Sequence, residues 1–185
     1  MSSWRQFDPE SLATECPLSS AARVRVLGID PGSRRTGFGV IDCEGSTQVH
    51  VAHGCISAEG TMLAARLRAI FEGIERLIAT YEPDEIAIER VFVNRNVDSA
   101  VKLGQARGAA LCAVPAGTSV FEYAPRAIKL AVVGSGAAEK TQVAHMMKVL
   151  LQLATVPEPD AGDALAAALC HAHSRRLQLL VRGAG

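Results

Sequence analysis

The chain of 185 residues lacks a long apolar run and lacks the pattern of a secretory leader. No stretch of about 18 consecutive apolar residues occurs, so the sequence predicts no membrane span. The N-terminal segment contains acids and has no apolar core of the kind that directs secretion. An apolar share of 49% is still enough for the core of one domain at this length. We therefore expect a single domain in the cytoplasm.

Paired cysteines are also missing. The five cysteines are scattered, odd in number and without a C-x-x-C pair, which indicates reduced thiols that mostly fill the core of a cytoplasmic protein. The segment Cys170–His173 would suit a metal by composition. No second ligand pair stands at zinc-finger spacing, so the end of a helix is the favoured interpretation. The five positions are Cys16, Cys43, Cys55, Cys112 and Cys170.

An excess of positive charge, which is typical of nucleic-acid-binding proteins, is absent as well. Basic and acidic residues number 19 each, and the formal net charge is zero. Setting aside the four candidate metal ligands named below leaves 15 acids against 19 bases. Bound divalent ions would make that face more positive still. Net charge therefore neither favours nor excludes a nucleic-acid substrate.

Four acids stand where a carboxylate is costly to bury. Asp30 and Glu89 each end a short apolar run, and Asp160 and Asp163 open the long Ala/Leu segment near the C terminus. Taken singly, Asp30 would be a turn former in Asp-Pro-Gly, and the last two would be N-caps of a helix. Brought together, the four would form an oxygen-only cage of the kind that suits Mg²⁺ or Mn²⁺. The combination favours a metal-dependent phosphodiesterase.

Periodicity predicts an α/β fold with a mixed five-stranded sheet and helices on both faces. There are no internal repeats and no low-complexity linker. We expect residues 1–22 to be a disordered extension, 23–176 to be the nuclease domain and 177–185 to be a tail. The expected strands are 24–29, 38–41, 49–57, 85–88 and 119–123, and the expected helices are 62–80, 98–114, 125–133, 139–153 and 160–180.

Five sequence blocks, in this order and spacing, resemble the RuvC family of bacterial Holliday-junction resolvases over roughly residues 24–174. The resemblance implies a ribonuclease-H-like fold and a homodimer that nicks two opposed strands of a four-way DNA junction in recombination and repair. It also implies the RuvA–RuvB branch-migration complex as a partner. The blocks are Gly28–Ser33, Ala87–Phe92, Leu103–Gly108, Ala138–Val143 and Asp160–Leu165.

The same resemblance maps the family's acidic metal site onto Asp30, Glu89, Asp160 and Asp163, although relatives can carry histidine at the position of Asp160. We expect Mg²⁺, with Mn²⁺ as a substitute, at one or two ions per subunit. Two ions would activate water and relieve charge on the leaving oxygen. In that arrangement Asp30 would bridge both ions, and Asp160 would orient water or complete a shell.

DNA contacts are expected from an aromatic residue and three basic residues. Phe92 and Arg95 follow Glu89 in a loop, where an aromatic ring would stack on an unpaired base or, alternatively, pack in the core. Lys129 and Lys140 would contact phosphates or relieve transition-state charge. The alternative for a lone lysine is a solvated face, and the resemblance favours the functional interpretation for both.

Small residues repeat every four positions in the second expected helix, at Ala100, Gly104 and Gly108. A glycine inside a helix costs roughly 1 kcal/mol relative to alanine, so two of them require a reason. The stripe would pack tightly on the chain's own sheet, or it would form a helix–helix contact in a dimer with twofold symmetry.

Two other functions compete with the nuclease. Asp-x-Gly after a strand also occurs in actin-like ATPases as part of a phosphate-binding domain, although that fold needs two such halves. A non-catalytic junction-binding module with the same fold is the second alternative, and the intact acidic set argues against it.

Overall fold

The structure is a computed structural model that describes residues 23–91 and 97–183, with side chains to residue 177. The ten described elements are, in order, three strands, a helix, a strand, a helix, a strand and three helices. The strands are β1 Val24–Asp30, β2 Arg35–Glu44, β3 Thr47–Ser57, β4 Glu85–Glu89 and β5 Ser119–Tyr123. The helices are α1 Leu63–Tyr81, α2 Val97–Cys112, α3 Pro125–Val133, α4 Lys140–Leu150 and α5 Pro159–Gly183.

The five strands form one mixed sheet in the order β3-β2-β1-β4-β5. β1, β2 and β3 pair antiparallel, whereas β4 lies parallel to both β1 and β5. Short connections permit only antiparallel pairing, and a parallel neighbour requires a crossover such as α1. The predicted fold class, a mixed five-stranded sheet with helices on both faces, is confirmed.

The two faces of the sheet bury different cores because side chains alternate along a strand. Val26 and Ala87 face α3, α4 and α5. Leu27 and Ile86, one residue along in each strand, face α1 and α2. Glu85 and Glu89 stand two residues from Ala87 on either side, so both carboxylates lie on the face that α5 covers.

Helix α5 lies unusually close to the sheet because small residues meet at the contact. A Cβ built on Gly28 would lie 2.1 Å from the carbonyl oxygen of Ala164, and one on Gly37 would lie 1.9 Å from that of Asp160. No side chain fits at such distances, so glycine is required at both positions. This contact sets the first turn of α5 against the carboxyl end of β1.

The observed bounds differ from the expected ones mainly in the hairpin and in the two last helices. β2 and β3 extend almost to a turn in which Gly45 has a φ of 56°. The ends of β2 contain polar residues and glycine although most of them are buried or half-buried, so they lack the apolar run that marks a strand. α4 ends at Leu150, since Gln152 has a φ of 52°. α5 runs to Gly183. The expectations for residues 1–22 and for the 92–96 loop lie outside the described residues.

The described cysteines are free thiols with unequal exposure. Cys43 and Cys170 are buried, Cys55 is half-buried and Cys112 is exposed. Two of these four cysteines therefore fill the core, whereas we expected most of the cysteines to do so. Cys16 lies outside the described residues. Among the helices described, none has the length and apolar character needed to span a bilayer.

Candidate active site

Two acids meet at one edge of the sheet because β1 and β4 are parallel neighbours. Ile29 and Ile88 are register partners, and each is followed directly by an acid, Asp30 and Glu89. Both carboxylates are half-buried. Open α/β sheets form their sites at this edge, beyond the carboxyl ends of parallel strands.

The first turn of α5 brings two more acids to the same edge. The pKa of Asp30 rises from its ordinary 3.8 to about 8, first because burial disfavours the charged form and then because Glu89 and Asp163 repel it. Asp160 adds to the repulsion, and Lys140 opposes it. The four candidate ligands therefore form one electrostatic cluster, which we call the acidic cluster.

Glu89 responds to the same surroundings. Burial raises the pKa of Glu89 to about 7, the charge of Asp163 adds to the rise, and Lys140 and Lys129 oppose it. Both lysines named from the sequence thus act on the acidic cluster. Lys129 lies on α3 and is half-buried.

Two cations hold the outer members of the acidic cluster. Lys140 Nζ lies 2.8 Å from Asp163 Oδ2, and this hydrogen bond raises the pKa of Lys140. Arg35 Nε lies 3.0 Å from Asp160 Oδ2, and the same guanidinium also pairs with Glu158. Arg35 and Glu158 could not be identified from the sequence, because these side chains meet across 123 positions of sequence.

The acidic cluster fits a hard divalent cation in its chemistry. Its ligand atoms are all carboxylate oxygens, which hard divalent cations prefer. Burial and the neighbouring carboxylates disfavour the negative charge of Asp30 and Glu89 and raise the pKa of both. Across residues 23–91 and 97–183, no three acid, histidine or cysteine side chains converge closely enough to share an ion. Two of the four carboxylates are instead drawn toward Arg35 and Lys140.

The predicted stripe on α2 is open at its two glycines. A Cβ added at Gly104 or Gly108 would meet nothing within 4 Å. The stripe therefore does not pack against the chain's own sheet at these positions. α2 buries Ala106 and Ala110 against the core shared with α1 instead. The expected DNA contacts Phe92 and Arg95 lie outside the described part of the chain.

A polar network that the sequence did not predict lies at the other end of β4. His171 is 2% exposed, and its Nε2 lies 2.6 Å from Glu85 Oε2. Its Nδ1 lies 2.7 Å from the Tyr123 hydroxyl, and Arg175 Nε lies 3.1 Å from Glu85 Oε1. His171 thus joins α5 to β4 and β5, which agrees with the favoured interpretation of Cys170–His173 as part of a helix. In the sequence, the only indication of this network was a histidine on the apolar face of a predicted helix.

The fold and the acidic cluster define a class: ribonuclease-H-like proteins with acids at the carboxyl ends of neighbouring strands and on the helix that covers them. The family described as "Crossover junction endodeoxyribonuclease RuvC" matches residues 26–171. The chain belongs to this RuvC family, and the resemblance seen in the five sequence blocks is confirmed. The match favours the nuclease over the ATPase and over the non-catalytic module.

Individual relatives agree with this assignment. The crossover junction endodeoxyribonuclease RuvC of Shewanella pealeana is 54% identical over 159 residues, which cover 85% of this chain and 92% of that one. A structure of Thermus thermophilus RuvC in complex with a Holliday junction substrate matches with a TM-score of 0.77 and 33% identity, covering 84% of this chain and 96% of that chain. The yeast mitochondrial Holliday junction resolvase matches at 12% identity with a TM-score of 0.59, covering 84% and 82%, and shares the fold alone.

Proposed function

We propose that this chain is a metal-dependent endonuclease that resolves Holliday junctions by paired nicks in two opposed strands, in recombination and repair. The observation that carries the proposal is the crowding of Asp30 and Glu89 with Asp163 at the edge of the sheet. A protein that needed Asp30 and Glu89 only for its fold would pair each of them with a cation, as it pairs Asp42 with Arg25. We assign the nuclease unit to residues 23–176 and its location to the cytoplasm.

Asp30, Glu89, Asp160 and Asp163 would hold Mg²⁺, or Mn²⁺ in its place, at one or two ions per subunit. When bound, such ions activate water and stabilise the leaving oxygen of a phosphodiester. Asp30 stands at the centre of the cluster, since the other three acids all act on it. Lys140, which donates to Asp163, is positioned to relieve negative charge on the phosphate.

Basic side chains around the acidic cluster would bind the phosphate backbone. Lys129 and Lys140 act on Glu89 from α3 and from the first turn of α4, so a phosphate near the cluster comes within reach of both. Phosphate contacts set position rather than sequence preference. Phe92 and Arg95 follow Glu89 closely in sequence, and we propose that the ring stacks on an unpaired base while the guanidinium contacts the backbone.

Two opposed nicks require two active sites related by a twofold axis. We propose a homodimer whose contact includes Ala100, Gly104 and Gly108 of α2, because the open space over both glycines lets a second helix approach closely. Val97 and Val101 are 66% and 53% exposed on the same helix, which supports an interface there. By the family resemblance, we also propose the RuvA–RuvB complex as a partner. A Gly104→Leu variant that sediments like the wild type would contradict the contact.

A synthetic four-way junction tests the function. We expect symmetric nicks in Mg²⁺ or Mn²⁺ and none in chelator, while Asp163→Asn binds the junction without cutting it. Phe92→Ala should cut less without losing stability, and junctions with unpaired bases at the crossover should partly rescue it. Cleavage of the junction by Asp163→Asn at the wild-type rate would refute the metal site, and ATP hydrolysis without junction cleavage would refute the function.

A further inference from the structure

Arg35 borders the acidic cluster from β2, a strand that carries none of the four acids. It is the first residue of β2, and its side chain is half exposed. Its guanidinium lies between two acids, pairing with Glu158 and placing Nε 3.0 Å from Asp160 Oδ2. One of its partners is thus a proposed metal ligand and the other is not, so this inference rests on the proposed function.

A groove opens beside this pair, on the surface of β2 and β3 next to the start of α5. It has a volume of about 430 Å³ and is lined by Arg35, His53, Cys55, Ser57 and Glu158, among others. Arg35 is its only arginine or lysine among the described lining residues. The lining offers one guanidinium, which is paired with the carboxylate of Glu158, so a negatively charged chain would bind here by displacing Glu158 from Arg35.

The ion pair of Arg35 with Glu158 is more exposed than its pair with Asp160 and is the more easily exchanged of the two. The side chains of Arg35 and Glu158 are 50% and 66% exposed, and ion pairs at such exposure contribute at most about 1 kcal/mol. Arginine binds a phosphate with two parallel hydrogen bonds. A phosphate in the groove would therefore compete well with Glu158 for the guanidinium.

Metal binding and the Arg35–Asp160 pair oppose each other. A carboxylate oxygen that holds a divalent cation is a weaker partner for a guanidinium, and the two positive charges repel each other. We propose that Arg35 is a phosphate-contacting residue for a junction strand that runs along the β2–β3 groove. Asp160 holds the guanidinium until a metal ion takes the carboxylate, and Glu158 then holds it at the groove until a phosphate replaces Glu158.

The first test measures Mn²⁺ binding to the DNA-free protein by electron paramagnetic resonance. Arg35→Gln should bind Mn²⁺ several-fold more tightly, because a competing cation is lost from Asp160. Arg34→Gln is the matched control: this exposed neighbour has the same charge and, within the described chain, no ion pair with Asp160. Equal Mn²⁺ affinity in the wild type and both variants would overturn the competition.

The second test measures junction affinity, with Ca²⁺ as a metal that limits turnover and again in chelator. Arg35→Gln should weaken binding several-fold with Ca²⁺ and lower the salt dependence by about one phosphate contact. In chelator the same substitution should have little effect, since Asp160 already occupies the guanidinium. Arg35→Lys should rescue affinity only in part, because the paired hydrogen bonds are lost.

An Arg35→Gln protein that binds the junction as the wild type does in Ca²⁺ would make Arg35 an ordinary surface ion pair. Failure of the proposed function is distinguishable, because the wild type would then neither bind nor nick the junction. The Mn²⁺ measurement does not depend on DNA and would still test the competition at Asp160.

Discussion

The two glutamates of β4 share a strand, a sheet face and a covering helix, yet their surroundings are opposite. Glu85 begins the strand and accepts from both His171 and Arg175 of α5. Glu89 ends the strand four residues later and lies near Asp163 of the same helix. Burial raises the pKa of Glu89 most, and the charge of Asp163 raises it further. A single helix therefore satisfies one glutamate and leaves the other with excess negative charge.

Acids that pair with cations support the fold, whereas the proposed metal ligands Asp30 and Glu89 lie among other carboxylates. Asp42 behaves like Glu85: Arg25 donates to both its carboxylate oxygens, at 2.8 and 2.9 Å, and this hydrogen bonding lowers the pKa of Asp42. Asp30, at the other end of β1, has a raised pKa. Burial is the first cause of the raised pKa values of Asp30 and Glu89, and neighbouring carboxylates add to it. Asp42 is less deeply buried, and its neighbouring charge is the guanidinium of Arg25.

Exchanging each glutamate of β4 for glutamine gives the largest expected contrast. Glu89→Gln should lower junction cleavage by about 10²–10³-fold, the loss found when one group that stabilises a transition state is removed. It should leave junction binding largely intact, because phosphate contacts come from basic residues. Glu85→Gln should still cut and should lose about 1–3 kcal/mol of folding free energy, because His171 and Arg175 keep only part of their hydrogen bonding.

Rates of nicking in Mg²⁺ and unfolding in urea would measure both effects. Loss of cleavage in a stably folded Glu85→Gln protein would contradict the distinction between the two ends of β4. Near-normal cleavage by Glu89→Gln would remove Glu89 from the metal site.

The next largest effect is expected where α5 contacts β1. Gly28→Ala places a Cβ where the Ala164 carbonyl oxygen and the Ala168 backbone nitrogen lie, at 2.1 and 2.9 Å, so the helix must shift. Overpacking of this kind costs about 1–3 kcal/mol. We expect Mn²⁺ affinity to fall as well, since Asp160 and Asp163 move with the helix. A Gly28→Ala protein with wild-type stability and Mn²⁺ affinity would contradict the contact.

Much of this arrangement could be predicted from local sequence. Apolar runs that end in Asp30 and Glu89 marked two strands with acids at their carboxyl ends, and parallel pairing brought those ends together. The ion pairs of Lys140 with Asp163 and Arg35 with Asp160 were not predictable, because partners 23 and 125 positions apart leave no periodic signal. Nor was His171 marked as a partner of Glu85. Pattern locates an element, whereas the pairing of charges depends on how elements pack.

Removing single charges should change stability in opposite directions at the two ends of β1. In chelator at pH 9, above the raised pKa of Asp30, Asp30→Asn should stabilise the protein by about 1–3 kcal/mol, because a buried charge without a partner is lost. Asp42→Asn should destabilise the protein by about the same amount, since Arg25 would lose its charged partner and one of the two oxygens that accept its hydrogen bonds. Melting temperatures measured without metal would test this. A change of the same sign in both variants would contradict the contrast between Asp30 and Asp42.

The dependence on pH follows from the direction of each shift. The lowered pKa of Asp42 means that its contribution is present above its ordinary 3.8 and is lost as pH falls through the lowered value. The raised pKa of Asp30 means that stability declines as pH rises from about 4 toward 8. The Asp42→Asn deficit should thus vanish in acid, whereas the Asp30→Asn gain should grow toward alkaline pH.

The smallest effect is expected from deleting residues 1–22. These residues show no apolar periodicity, and the family match begins only at residue 26. The hydrogen-bonding and charged partners described for the side chains of Arg25 and Asp30 lie within residues 42–163. We expect the truncated protein to melt within a degree or so of the full chain, since a change of 1 kcal/mol would shift the melting temperature by about 2–4 °C at this size. Its junction cleavage should be unchanged. A lower melting temperature with normal cleavage would mean that residues 1–22 support the end of the sheet where Arg25 pairs with Asp42. Reduced cleavage at an unchanged melting temperature would link them to the acidic cluster.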